Sequence, residues 1–164
     1  YNEMIVLNEI YTVLKSRLKE LQEIKKIDWY NNQYNNTEEE KATRYPVVYV
    51  EFIDPIPWIQ NGDKFQHGTA TIRLHCVVYD LQDTPVRCME FVQKIYEHIN
   101  SKSLYDATDF QLTTELVRQA TTFPKRYNQL KVVMMDFVCE IFDISNMPEG
   151  IAVQPVEFII STSS

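Results

Sequence analysis

The stretch Thr69-Ala-Thr-Ile-Arg-Leu-His-Cys-Val-Val-Tyr79 alternates with a period of two. Ala70, Ile72, Leu74, Cys76 and Val78 fall on one side of an extended chain. Thr69, Thr71, Arg73, His75, Val77 and Tyr79 fall on the other. This pattern predicts a strand with one buried face. Asp80 to Thr84 reads as a turn, with Thr84 as the N-cap of a helix and Pro85 at its first position, where a missing N–H does no harm. Val86, Met89, Val92, Ile95 or Tyr96, and Ile99 then recur at spacings of three and four, which predicts an amphipathic helix over 85–100. A strand that feeds such a helix folds back as one sheet-on-helix layer.

The rest of the chain is read outward from that unit. Leu7, Ile10, Leu14, Leu18, Leu21 and Ile24 predict a helix over 3–26, with Asn2 as its N-cap. Its stripe lasts only about three heptads, so it reads as packing on a sheet, its own or a neighbour's, rather than as a free coiled coil. Residues 28–44 are polar, Asn-rich and acidic and read as an inserted loop. Trp29, Tyr30 and Tyr34 are unexpected there. Either Trp29 tucks back onto the helix end or the segment meets another chain.

Tyr45 to Ile53 is a strand that starts on Pro46. Both its faces are apolar, so both need cover, one by helices and the other by a loop or a partner. Residues 55–68 read as a protruding hairpin around Asn61-Gly62. Phe110 to Thr122 fits a strand or a short helix, and strand is favoured for 115–122. Leu130 to Asp143 is the last core strand, with Val133, Met135, Phe137, Cys139 and Ile141 on its buried face. From Ser145 the chain reads as an extended arm, and Pro155 restricts its strand-like stretch 153–160 to an edge. The expected architecture is α+β: an antiparallel sheet of about four strands, two main helices packed on it, a protruding hairpin and an extended C-terminal tail. Residues 1–143 form one domain in this reading, and 144–164 form the arm.

Composition narrows the chemistry. The chain has 164 residues, a net charge of −7 and a pI near 5.0. That balance argues against a dedicated binder of phosphate backbones. After Lys131 there is no Lys or Arg, while Asp136, Glu140, Asp143, Glu149 and Glu157 follow. One end or face should carry a negative field. Cys76, Cys88 and Cys139 lie on or beside apolar faces and read as buried thiols rather than a disulfide framework. No run is long enough to cross a bilayer, and no signal-segment pattern opens the chain.

His67, His75 and His98 have no metal-ligand spacing, and His75 and Cys76 point to opposite faces of their strand. No nucleophile-elbow, zinc-protease or phosphate-loop pattern is present. No catalytic, cofactor or metal residue is expected. Ile56, Trp58, Ile59 and Phe65 place much apolar surface on the hairpin and are the candidates for an oligomer or partner contact. The other reading folds Trp58 back onto its own sheet.

The order of elements resembles the tail terminator, or tail completion, proteins of long-tailed bacteriophages. The echoes are Tyr45-Pro46-Val47-Val48-Tyr49, the Thr71–Tyr79 strand passing into the Pro85 helix, and the hairpin 116–143. The resemblance implies a structural virion protein, assembled in the host cytoplasm, rather than an enzyme. It implies a homohexameric ring that caps the tail tube and docks to a neck or connector protein, with DNA passing through unbound. No catalytic residue is carried over. In such a ring Asp136, Glu140, Asp143, Glu149 and Glu157 are candidates to face the lumen, the bland alternative being ordinary solubilising charges. Another neck or connector ring protein is the nearest different reading. A cytosolic domain that binds a small molecule or acts as an adaptor is the reading from a different class.

Overall fold

The computed structural model describes residues 3–35, 44–62, 65–79 and 85–143. Element order is α1 (Glu3–Lys19), β1 (Lys26–Trp29), a short 3-10 turn (Gln33–Asn35), β2 (Val47–Phe52), β3 (Trp58–Asn61), β4 (Phe65–Tyr79), α2 (Val86–Ile99), β5 (Val117–Thr121), β6 (Lys125–Tyr127) and β7 (Leu130–Asp143). The fold is α+β. The strands form one sheet in the order β1-β2-β4-β7-β5, with β3 paired to β4 and β6 to β7.

The sheet corrects the expected number of about four antiparallel strands. It has seven, and β1 runs parallel to β2 while every other pairing is antiparallel. The three additional strands hold three or four residues each. Segments that short cannot display a period of two, so they read as loop or hairpin in the sequence.

The long strands behave as their alternation requires. Ala70, Ile72, Leu74, Cys76 and Val78 of β4 are all buried, and so are Val133, Met135, Phe137, Cys139 and Ile141 of β7. Both sets meet α1 through Ile10, Leu14 and Leu18, and α2 through Cys88, Phe91, Val92, Ile95 and Ile99. The strand favoured over 115–122 is present as β5.

Two helix boundaries move. α1 ends at Lys19, seven residues before the expected Lys26, and the chain continues as tight turns bonded Leu21 N–H to Leu18 O (3.0 Å) and Ile24 N–H to Leu21 O (3.1 Å). Leu21 and Ile24 still pack on the core, so the apolar stripe outlasts the helix. In α2, Pro85 occupies the capping position itself and makes no side-chain cap bond. Asn2, Thr84 and the C-terminal arm from residue 144 lie outside the described residues.

The second face of β2 is covered by the chain's own loop. Tyr34 is buried on Val47, Tyr49, Val77, Leu130 and Val132, a small core on the side of the sheet away from the helices. Trp29 turns back onto α1, but onto its middle rather than its end, its ring stacked on Tyr11 at 4.0 Å.

The hairpin joins the sheet at Gly68, opposite Trp58. A Cβ at Gly68 would sit 3.0 Å from Trp58 Cε3, 3.1 Å from Ile56 Cγ2 and 3.1 Å from the Pro57 carbonyl oxygen. The Gly68→Ala variant should therefore lose about 1–3 kcal/mol, the usual cost of overpacking. Urea denaturation checks this, and a variant of wild-type stability would show that the hairpin gives way freely.

All three thiols are free and buried, as expected. Burial pushes the Cys76 thiol up from its ordinary value and Cys139 up to about 12. Labelling by a thiol reagent at neutral pH should proceed only through opening of the fold. Labelling of the native protein as fast as of the urea-unfolded chain would contradict this.

Candidate interaction surface

Alternation gives the sheet two unlike faces. The odd-numbered residues of β4 and the even-numbered residues of β7 point away from the helices. At the Tyr79 end this helix-free face is apolar and covered by Tyr30 and Tyr34. Further along, toward Phe65, it becomes polar and loses that cover.

A charged row marks the change. Glu51 stands opposite Arg73, and Arg73 opposite Asp136, on three adjacent strands. The Arg73 guanidinium donates two parallel bonds, Nε to Asp136 Oδ1 at 2.8 Å and Nη2 to Oδ2 at 3.1 Å. This bidentate fork is the strong form of an ion pair. The bond to Asp136 raises the Arg73 pKa above its ordinary value against the opposing effect of burial.

One pair toward the covered end lies His75, opposite Tyr49 on β2 and Met134 on β7. Its Nε2–H donates to Glu51 Oε1 at 2.8 Å, and its Nδ1 accepts from the Tyr34 hydroxyl at 3.0 Å. Burial lowers the imidazole pKa, and the bond to Glu51 pulls the other way.

Toward the hairpin, Thr69 Oγ1 donates to Glu140 Oε1 at 3.1 Å. Glu140 Oε2 is buried without a hydrogen-bond partner. Asp136 and Glu140 therefore share the helix-free face. Alternation sets Asp143 on the opposite face, at the buried end of β7. Glu149 and Glu157 lie outside the described residues.

The four hairpin candidates divide. Ile56 and Trp58 pack against the helix-side core. Ile59 is 56% exposed. Phe65 is half-buried, its ring stacked 6.2 Å from that of Phe142. Ile59, Phe65 and Phe142 are on the helix-free side by register. The sequence reading missed two further exposed apolar side chains, Val117 at the start of β5 and Phe123 beyond its end, the latter 71% exposed. No period could have marked these two, since one lies on a five-residue edge strand and the other in the turn after it. It also missed that His75 is the buried partner of Tyr34, although the surplus of aromatics in 28–44 was a signal.

Among the described residues no group of three or more His, Cys, Asp or Glu could hold a metal ion. Among them no helix is long and apolar enough to cross a membrane.

No family model and no curated protein matches the chain. Among solved structures, a chain from the virion of a native gene transfer agent particle has a similar fold. The TM-score is 0.59 with 9% sequence identity, over 84% of this chain and 98% of that one. At that identity the likeness is one of fold.

The Arg73–Asp136 pair is partly exposed, with side-chain exposures of 34% and 19%. A double-mutant cycle of Arg73→Met and Asp136→Asn should give a coupling energy of about 1 kcal/mol, at the upper end for pairs open to solvent. Chemical denaturation of the four proteins measures it. A coupling near zero would mean that the fork holds no geometry of the face.

Proposed function

We propose that this chain is a non-enzymatic structural subunit of a virion-like particle. The observation that carries the reading is the fold held in common with a virion chain along nearly that chain's whole length. The finer reading is a ring-forming tail terminator or head–tail joining subunit, probed below by assembly. It would cap a tail tube, dock to a neck or connector protein and let DNA pass without binding it.

A cyclic ring of one kind of subunit needs a heterologous contact, one patch against a different patch on the neighbour. Ile59 and Phe65 supply the apolar side chains of one patch in this proposal. Trp58 and Ile56 support them from beneath, because their own rings and methyls are committed to the core. The lumen candidates fit the same frame. Asp136 and Glu140 lie on the helix-free face, where Arg73 is held by Asp136 and so offers little to a phosphate. Arg73 neutralises Asp136 in turn, so in this proposal the repulsion of phosphate around a ring, within a Debye length of about 8 Å, falls to Glu140.

Size-exclusion chromatography with light scattering, followed by electron microscopy, tests the reading. Rings of about six subunits, or rings stacked into tubes, are expected. A strict monomer at all concentrations would overturn the ring. The double variant Ile59→Ser and Phe65→Ser should remain folded by circular dichroism yet fail to assemble. Rings of unchanged size in that variant would remove the hairpin from the contact. Glu140→Lys rings should retain duplex DNA at low salt where wild-type rings do not. If both behave alike, Glu140 does not face the channel.

A further inference from the structure

Residues 26–35 form a strap. β1 lies beside β2, the Tyr30 N–H donates to Val50 O at 2.9 Å, and the chain then turns so that Tyr34 enters the second small core. His75 lies beneath it, 2% exposed. The Tyr30 ring is stacked on the imidazole at 3.8 Å and 4°, and the Tyr34 hydroxyl reaches its Nδ1. We propose that this strap is a pH-sensitive lock, held closed on the sheet by neutral His75 and released when His75 is protonated.

The argument is one of linkage. Closure can shift a group's protonation only through what closure brings to it. The charges near His75 belong to the sheet and stay with it in both states. They are Glu51 on β2, Arg73 on β4 and Asp136 on β7. The strap brings uncharged phenols, Tyr30 and Tyr34, and Tyr127 of β6 packs its ring on Tyr34 at 5.0 Å. The strap's two charged side chains are Asp28, two strands away by register at about 10 Å, and Lys26, whose ammonium lies over the Tyr49 ring 5.9 Å from its centroid and so disfavours an imidazolium as burial does.

Closing the strap therefore buries the imidazole without setting a new anion beside it. Burial disfavours imidazolium. It also sets a hydroxyl donor on Nδ1, the nitrogen that protonation would turn into a donor. Burial raises the Tyr34 phenol above its ordinary value, so it stays protonated and keeps donating. The Tyr30 stack favours the cation, and so does Glu51, yet the net direction for His75 is downward. A lowered value in the closed state means that closure is fully favoured above the ordinary imidazole pKa of about 6.5 and loses ground as pH falls below it.

Amide hydrogen exchange reads the strap directly, with the Tyr30 N–H as probe and the β4–β7 ladder as reference. Between pH 7.5 and 5.0, after correction for intrinsic rates, the opening constant of the strap should rise by up to about thirtyfold, the factor set by a group that titrates near 6.5 when open. The ladder should not change. His75→Gln keeps a donor for Glu51 and an acceptor for Tyr34 and does not titrate, so its strap should show no pH dependence. Tyr34→Phe keeps the ring and loses the donor, so its strap should open more at pH 7.5. A wild-type strap whose protection is flat with pH would overturn the lock. Equal pH dependence in His75→Gln would assign the effect to the carboxylates and overturn it too. An imidazole titration by NMR in the wild type and in a strap-opened variant, Tyr30→Ala with Tyr34→Ala, stands beside these: a wild-type His75 pKa at or above that of the variant would contradict the proposal.

Discussion

β4 and β7 run antiparallel through fourteen consecutive register pairs, from Gln66 opposite Asp143 to Tyr79 opposite Leu130. Because side chains alternate, this one register decides everything that lies on either side of it. A slip by a single residue would turn Leu74, Cys76 and Val78 toward the strap and Arg73 and His75 into the helix-side core. Burying an arginine there without its carboxylate would cost far more than any loop could recover. The Arg73–Asp136 fork is thus a register mark as well as an ion pair. It forms only when residue 73 meets residue 136.

From that register the two faces acquire different duties. The helix side is closed by two helices and is apolar along its length except at its two ends, where Lys131 and the Gln66–Asp143 pair lie. The other side has one helix-free surface and is closed only at its Tyr79 end, by a loop rather than by a helix. Loop cover is cheaper to lift than helix cover, since it buries less apolar area for each ordered residue. The polar remainder of that face, Thr69, Thr71, Arg73, Asp136 and Glu140, is what a sheet needs if it is to stay open to water.

The parts legible in the sequence are those with room for a period to repeat. β4 spans 15 residues and β7 14, and the alternation in each matches the buried set. In the 14-residue α2 only Val92, Ile95 and Ile99 of the expected stripe are buried, while Val86 and Met89 are exposed and Cys88 and Phe91 take their place on the core. β1, with four residues and only Ile27 buried, offers no repeat to count. The end of α1 was invisible for another reason: Leu21 and Ile24 continue the helical spacing although the backbone has already turned. The site was less legible than the fold. His75 finds Tyr34 at a separation of 41 residues and Glu51 at 24, and neither spacing carries a signal. Trp58 shows the limit from the other side. Its apolar bulk was plain in the sequence, but which surface it served depended on the absence of a side chain at Gly68, opposite it across the hairpin.

The edges of the sheet bear on how copies of such a subunit can meet. The outer side of β5 begins capped. Ser101 N–H donates to Leu116 O at 2.7 Å, Leu116 N–H to Lys102 O at 3.0 Å, and Arg118 N–H to Asn100 Oδ1 at 2.9 Å. A register irregularity between Arg118 and Ala120 then breaks the line of the edge, a device that blunts strand-to-strand pairing. On the opposite edge, β1 has only four residues. Its Trp29 N–H is taken by the Asp28 carboxylate at 2.8 Å, and the Trp29 carbonyl accepts from Gln33 Nε2 at 2.7 Å. These two bonds occupy backbone at the end of the β1 edge. Contact between copies would then fall to side-chain patches such as Ile59 on the hairpin and Phe123 beyond β5. Patches of that kind fix an angle between neighbours, whereas an open edge admits a run of strands without a natural end. With the ring proposed above, an interrupted β5 edge and discrete side-chain patches are a compatible combination.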